Sequence, residues 1–330
     1  MQTPSENSAI RATGVTEHFH ASSLVKTANQ GLFLSGEDLS LENSSIIYFS
    51  SDGIDWTSIG RKKGTIDRIN LGYNNLVCIN NKFEVGASIK SSLLISKIDE
   101  IQLDSKIVGS SEGLIHGVLY FGENRLMAFK DIDTLPGIQS FISSDNGESW
   151  IPSTKLSQYK VVESEMLTEH EGVVFGVVRK GFSESSRVVF IWNYHLDSFI
   201  EVNSFSEHGT IVGSQKNQSD IYIFCEQENV ITVSLLDVEG GHKVISSFRI
   251  DEQEDELLSI RYVNKKLKCV TSSCSDDFLD GCDYYVKSYT QDGLTEKTFF
   301  TDDLLPYTYS GDKIYCFTKN QDLISVDLKH

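Results

Sequence analysis

The sequence predicts an all-β fold: a single seven-bladed β-propeller of four-stranded antiparallel blades, with six blades as the alternative count. Three observations lead there. A short motif recurs at a fixed spacing, hairpin-like segments recur at the same period, and the composition disfavours helices. Only four prolines occur in 330 residues, and no long segment carries the 3.6-residue apolar period of an amphipathic helix.

The motif is SSDNGESW at 143–150, which reads Ser-x-Asp-x-Gly-x-x-Trp. A second copy, SSDGIDW at 50–56, has one residue fewer between the aspartate and the glycine. Asp52 and Asp145 are 93 residues apart, which is two units of about 46 residues. A degenerate copy falls between them in SLLISKIDEIQL at 92–103. Further β-prone runs that end in or cross a polar turn follow at RVVFIWNYHLDSF (187–199), ITVSLLDVEGGHKV (231–244), YYVKSYTQDGLTEKTFF (284–300) and LISVD (323–327).

Upstream of each copy lie two short runs joined by turn formers: LVKTANQGLFLSG, NLVCINNKFEVGA, VLYFGENRLMAF, MLTEHEGVVFGVV, TIVGSQKNQSDIYIF, IRYVNKKLKCV and YTYSGDKIYCF. Alternating apolar residues around Asn, Gly, Asp or Lys make each a hairpin. Hairpin, third strand, turn and fourth strand form one propeller blade. The expected blades are residues 21–62, 63–108, 109–156, 157–204, 205–250, 251–302 and 303–330. The last unit stops where its outer strand should begin, while residues 1–20 have no unit of their own. The N-terminal segment is therefore expected to supply that strand and close the ring, covering two open edges at once.

In these motifs the chain resembles the BNR, or Asp-box, repeat propellers, which include sialidases, sortilin-like receptors, propeller lectins and photosystem assembly factors. The resemblance rests on Ser143, Asp145, Gly147 and Trp150 and, with one deletion, on Ser51, Asp52, Gly53 and Trp56. It implies a structural turn between the third and fourth strands, with the other units keeping the strands and losing the box. The physical chemistry of these residues agrees. Asp accepts hydrogen bonds from turn N–H groups, Gly supplies positive φ and Trp covers the turn with an apolar plate.

The 47 acidic and 29 basic side chains leave a net charge of −18, which excludes phosphate backbones and anionic membranes as expected partners because like charges repel on approach. No apolar run is long enough to span a bilayer and the first twenty residues lack a leader pattern, so a cytoplasmic chain is expected. The six cysteines form no CxxC pair. Cys225, Cys269 and Cys316 sit in apolar surroundings and read as core. Cys274 and Cys282 bracket an acidic segment that reads as a reduced loop, with a disulfide or a calcium site as alternatives.

No catalytic, cofactor-binding or metal-binding residue is assigned. A sialidase needs converging arginines and a Phe-Arg-Ile-Pro-like segment, whereas Phe248-Arg249-Ile250-Asp251 lies late and lacks the proline. The segment from Gly181 to Ser185 fails the GxSxG pattern at its last position. No phosphate-binding loop and no HExxH motif occur. His18 and His20 share a strand face but have no identifiable third ligand.

Function is expected where variable loops leave a rigid scaffold. In a propeller the second-to-third-strand loops and the blade-to-blade loops share one face, and the hairpin and Asp-box turns share the other. The first set is long and acidic here. Asp131, Asp133, Asp251, Glu254, Asp276, Asp277 and Asp280, with Leu135 and Phe278 as apolar anchors, form the expected surface for a basic protein partner, presented by a monomeric scaffold. The role would be that of an adaptor or of a protein that neutralises a basic toxin. Two alternatives stand beside it: a lectin that stacks sugar on Trp192 or Tyr194, and a glycoside hydrolase using two carboxylates.

Overall fold

The computed structural model describes residues 10–27, 31–82, 89–98, 102–110, 112–132, 137–250, 256–274, 282–300, 304–310, 313–318 and 321–327. Its 28 strands form seven four-stranded antiparallel sheets arranged as the blades of a propeller. The chain starts with β1 (Ile10–Arg11) and then builds blade 1 from β2 (Phe19–Lys26), β3 (Leu32–Asp38), β4 (Ser44–Ser50) and β5 (Thr57–Lys63). Blade 2 comprises β6 (Thr65–Gly72), β7 (Asn75–Lys82), β8 (Lys90–Lys97) and β9 (Asp104–Lys106). Blade 3 comprises β10 (Ile115–Gly122), β11 (Arg125–Asp131), β12 (Ile138–Ser143) and β13 (Ile151–Ser153). Blade 4 comprises β14 (Val161–His170), β15 (Val173–Arg179), β16 (Arg187–Asn193) and β17 (Ser198–Val202). Blade 5 comprises β18 (Thr210–Asn217), β19 (Asp220–Gln227), β20 (Val230–Leu236) and β21 (His242–Arg249). Blade 6 comprises β22 (Glu256–Val263), β23 (Lys266–Cys274), β24 (Cys282–Thr290) and β25 (Gly293–Phe300). Blade 7 takes β26 (Leu304–Ser310), β27 (Lys313–Thr318) and β28 (Asp322–Asp327) from the C-terminal part of the chain, and β1 is its outer strand.

Burial within a blade follows position from the axis outward. The middle strands β7, β12 and β15 are buried along nearly their whole length, because both of their faces pack on neighbouring blades. The outer strands β5 and β13 are largely exposed. The core is accordingly a ring of seams. Among the described residues seven apolar clusters form, each joining two adjacent blades; Trp192 and Phe129 belong to the one between blades 3 and 4, and Phe205 and Ile223 to the one between blades 4 and 5.

All seven inner strands carry a register shift against their neighbour, at Ala21/Ser23, Ile66/Arg68, Ile115/Gly117, Glu163/Thr168, Ile211/Gly213, Leu257/Ser259 and Leu304/Tyr307. A bulge bends the strand and frees backbone groups from the ladder. Several of those groups bond to the next blade: Ser22 Oγ donates to Ile66 O at 2.6 Å, Ser214 Oγ to Met166 O at 3.4 Å and Tyr307 OH to Leu258 O at 2.8 Å.

One hairpin lies elsewhere than its composition indicates. In blade 2 the strands turn at Tyr73 and Asn74, which have φ of 51° and 80°, and NLVCINNK is one continuous strand. Asn80 and Asn81 are buried there; Asn81 pairs with Ser91 and Asp67 and Asn80 Nδ2 donates to Lys63 O at 3.4 Å, so turn-forming residue types sit inside a strand where side-chain partners from neighbouring strands hold them.

The ring closes as the sequence predicts. Ile10 pairs with Leu323 and Arg11 with Asp322. The segment then crosses to blade 1, where Thr13 N donates to Ile54 O at 2.7 Å and Trp56 N donates to Thr13 O at 2.9 Å. Trp56, 4% exposed, meets Phe317 of blade 7 edge-on at 6.1 Å. Trp56→Ala should cost about 3–5 kcal/mol through the cavity it leaves. Deleting residues 1–16 should lower the melting temperature further, because both edges then open; thermal unfolding followed by circular dichroism checks both, and an unchanged melt would contradict this account of the closure.

Candidate functional site

The best-preserved motif builds a closed hydrogen-bonded turn. Asp145 Oδ1 accepts from Ser143 Oγ (2.7 Å) and Ser149 N (2.9 Å), while Oδ2 accepts from Ser149 Oγ (2.6 Å). Gly147 N donates to Ser143 Oγ at 2.8 Å and Trp150 Nε1 to Gly147 O at 3.1 Å. Gly147 has φ of 86°, and a Cβ there would stand 2.6 Å from Ile95 Cδ1 of blade 2. The turn is therefore pressed against the preceding blade. The Ser149 hydroxyl and N–H and the Ser143 hydroxyl hold the Asp145 carboxyl down at about 2.

The Asp52 turn repeats this with one substitution of role. Its serine is Ser50, which donates to Asp52 Oδ1 at 3.0 Å and accepts from Gly53 N at 2.8 Å. Ser51, expected in that role, is exposed; Ser50 stands two residues before the aspartate, as Ser143 does. Trp56 Nε1 donates to Gly53 O at 3.1 Å.

A third such turn escapes the motif. Asp237 Oδ1 accepts from Glu239 N (2.9 Å) and Gly241 N (2.8 Å), and Gly240 has φ of 89°. Blade 5 thus keeps the aspartate chemistry although its glycine has moved and a histidine follows where tryptophan would.

The opposite face gathers the ends of second strands and the starts of third strands. Of the nine residues expected to bind a partner, Asp131 is described, and Asp133, Leu135, Asp251, Glu254, Asp276, Asp277, Phe278 and Asp280 lie outside the described residues. Asp131 holds the scaffold. Its Oδ1 accepts from Leu114 N at 2.7 Å and its Oδ2 lies 3.2 Å from His116 Nε2. Burial works against its charge, but those two neighbours keep the carboxyl below its ordinary value.

Beside it, Lys130 is fully buried and donates to Val108 O (3.2 Å) and Ser110 O (2.5 Å); burial lowers its pKa to about 8. Arg61 pairs with Asp38 (2.7 Å), Arg179 and Arg187 with Glu163 (2.7 and 2.9 Å) and Lys180 with Glu201 (2.6 Å). These four cations are thus engaged already.

Two apolar points on this face went unread in the sequence. Phe182, between β15 and β16, is 80% exposed, and Leu39, just after β3, is 66% exposed. A single large apolar residue in a polar loop is ordinary by sequence alone, so only its exposure marks it.

Two expectations change. Cys274 and Cys282 form a disulfide rather than a reduced pair. They stand directly opposite each other at the ends of β23 and β24, a cross-strand relation that spacing alone does not reveal. Trp192 is 1% exposed in the seam between blades 3 and 4 and so offers no platform for a sugar. Tyr194 faces Phe121 at 5.1 Å and Arg125 at 5.9 Å. Cys225, Cys269 and Cys316 are buried with Cys78, and burial pushes the first three thiols up to about 12. His18 and His20 are exposed. Over the axis, Glu165 of β14 is held by Arg68 of β6 at 2.6 Å.

No family model matches the sequence, and neither does any curated protein. The structure is similar to YCF48 from Cyanidioschyzon merolae, with 8% identity, a TM-score of 0.60 and coverage of 98% of this chain and 100% of that one. It is also similar to Sqt1 from Saccharomyces cerevisiae (10% identity, TM-score 0.56, 94% and 83% covered) and to BamB from Moraxella catarrhalis (6%, 0.55, 93% and 85%). At these identities the likeness concerns the fold, a seven-bladed propeller.

Two outcomes follow from the turn and the cysteines. Because the Asp145 carboxyl is depressed from its ordinary 3.8 to about 2, its contribution to stability is present above pH ~4 and lost as the pH falls toward 2. Asp145→Asn should lower the melting temperature at neutral pH and flatten its decline over that acid window. Alkylation followed by intact-mass measurement should label no cysteine in the native protein and two after mild reduction, at Cys274 and Cys282.

Proposed function

We propose that the protein is a non-catalytic binding scaffold of the Asp-box propeller kind, whose acidic loop face engages a basic protein partner as an adaptor or as a mask for a basic enzyme. One observation carries the reading. The strand pairs β11/β12, β21/β22, β23/β24 and β25/β26 all open on one face, and the segments they bracket are acid-rich: DIDTLPG (131–137), DEQED (251–255), SDDFLDG (275–281) and TDD (301–303).

Such a face raises the encounter rate with a basic surface, and Phe182 and Leu39 give it apolar points that desolvate on contact. Asp131 contributes through the scaffold and not as a free charge. The disulfide at the base of segment 275–281 supports a compartment oxidising enough to keep it, in place of the cytoplasm expected from the sequence. Trp192, one of the two aromatic residues expected to stack a sugar, is buried and does not support that reading.

The test is affinity capture from native lysate with two baits, the wild type and a variant carrying Asp276→Lys, Asp277→Lys and Asp280→Lys. The wild type should retain a protein with pI above about 9. The variant should bind that same purified protein at least tenfold more weakly, with a flatter dependence on salt. Equal binding by both baits would remove the loop face from the account, and Phe182→Ala in the wild-type background tests the apolar contact separately.

A further inference from the structure

His242 opens β21 five residues after Asp237, as Trp150 follows five residues after Asp145. It keeps part of the tryptophan's packing role, since its ring lies on Phe205 with centroids 4.5 Å apart, and Phe205 is buried at 1% exposure in the seam between blades 4 and 5. The imidazole adds two nitrogens to that position. Nδ1 lies 3.0 Å from Ser204 Oγ; with the proton on Nδ1, that contact fixes the tautomer and leaves the Nε2 lone pair outward. Nε2 faces the Nε2 of His208, the last residue of the short 3-10 helix Ser204–His208, at 3.4 Å.

That separation is long for a hydrogen bond between nitrogens, which falls at about 2.7–3.2 Å. It is the bite of a metal chelate: two imidazole nitrogens, each about 2.0–2.1 Å from a tetrahedral Zn2+, stand about 3.4 Å apart. The ring planes are inclined at 78°, so the ligands approach from different directions. A cavity of about 490 Å³ opens beside His242, bordered by Glu171, Asp220 and Asp237 with Lys243 as the cation. It gives water room to complete a coordination shell, and its carboxylates favour a cation nearby.

We propose that His208 and His242 form a binding site for a transition-metal ion, Zn2+ foremost, at the outer rim of the seam between blades 4 and 5. Among the described residues no group of three or more His, Cys, Asp or Glu side chains gathers around one point, so the protein supplies two ligands and leaves the other positions to water or to a donor from a bound molecule. Imidazole ligation selects Zn2+, Cu2+ or Ni2+ over Mg2+ and Ca2+. The site does not depend on the reading given to the acidic loop face.

The experiment is calorimetric titration of the metal-stripped full chain with ZnCl2 and, separately, MgCl2, using the wild type and His208→Gln, His242→Gln and His170→Gln variants. One Zn2+ per wild-type chain is expected, with no heat from Mg2+. His208→Gln and His242→Gln should each weaken Zn2+ binding at least tenfold, while His170→Gln, altered at another ring bordering the cavity, should leave it unchanged. With Cu2+ as the probe, electron paramagnetic resonance should show coupling to two nitrogens. Zn2+ binding that survives both substitutions, or no binding at millimolar Zn2+, overturns the proposal. His208 lies outside the core cluster, so its variant keeps the test decisive should His242→Gln fail to fold.

Discussion

The whole ring depends on one strand pairing, that of Ile10–Arg11 with Leu323 and Asp322. Each blade buries both faces of its middle strands against its neighbours, so a blade alone would expose most of what makes it apolar. Blades 2 to 6 have a neighbour on each side by chain connectivity. Blades 1 and 7 are brought together by closure, where Thr13 ties the N-terminal segment to the Asp52 turn and Trp56 packs against Phe317. Loss of that contact would expose two seam faces and the outer edge of β28 together.

How far the fold could be read from the sequence follows from which interactions are local. The Asp145 turn was legible because its bonds link residues within four positions of one another, so spacing encodes geometry. The same chemistry at Asp237 was not, since its glycine sits at a different offset and His242 replaces the tryptophan. The two serines before Asp52 were ambiguous in one dimension, and hydrogen-bond geometry selects Ser50. Blade 2 misled because Asn81, a turn former by propensity, is satisfied inside a strand by Asp67 and Ser91, partners that sequence proximity does not supply.

The candidate site was legible as composition and opaque as arrangement. Acidity of the loop segments is a sequence property, and strand order puts their ends on one face. Which carboxylates are free is a matter of contacts. Asp131 is spent on Leu114 and His116, while Glu163 sits between two arginines. The disulfide is of the same kind: eight residues apart, Cys274 and Cys282 read as the ends of a loop, and only the β23/β24 register sets them opposite each other.

The two faces differ in how freely they can change. On the turn side, Gly147 presses on Ile95, Gly53 on Leu323 and Gly240 on Ile200 and Val202, so each aspartate turn clamps the preceding blade. A substitution there disturbs a seam, and seams are what hold the ring. The loop side carries no such clamp at Phe182 or Leu39, whose exposure means that their side chains stabilise little. Binding chemistry can accumulate on the loop face at small cost to stability, whereas on the turn side a new group must first do the packing work of the old one. His242 meets that condition, covering Phe205 as a plate while turning a nitrogen toward His208.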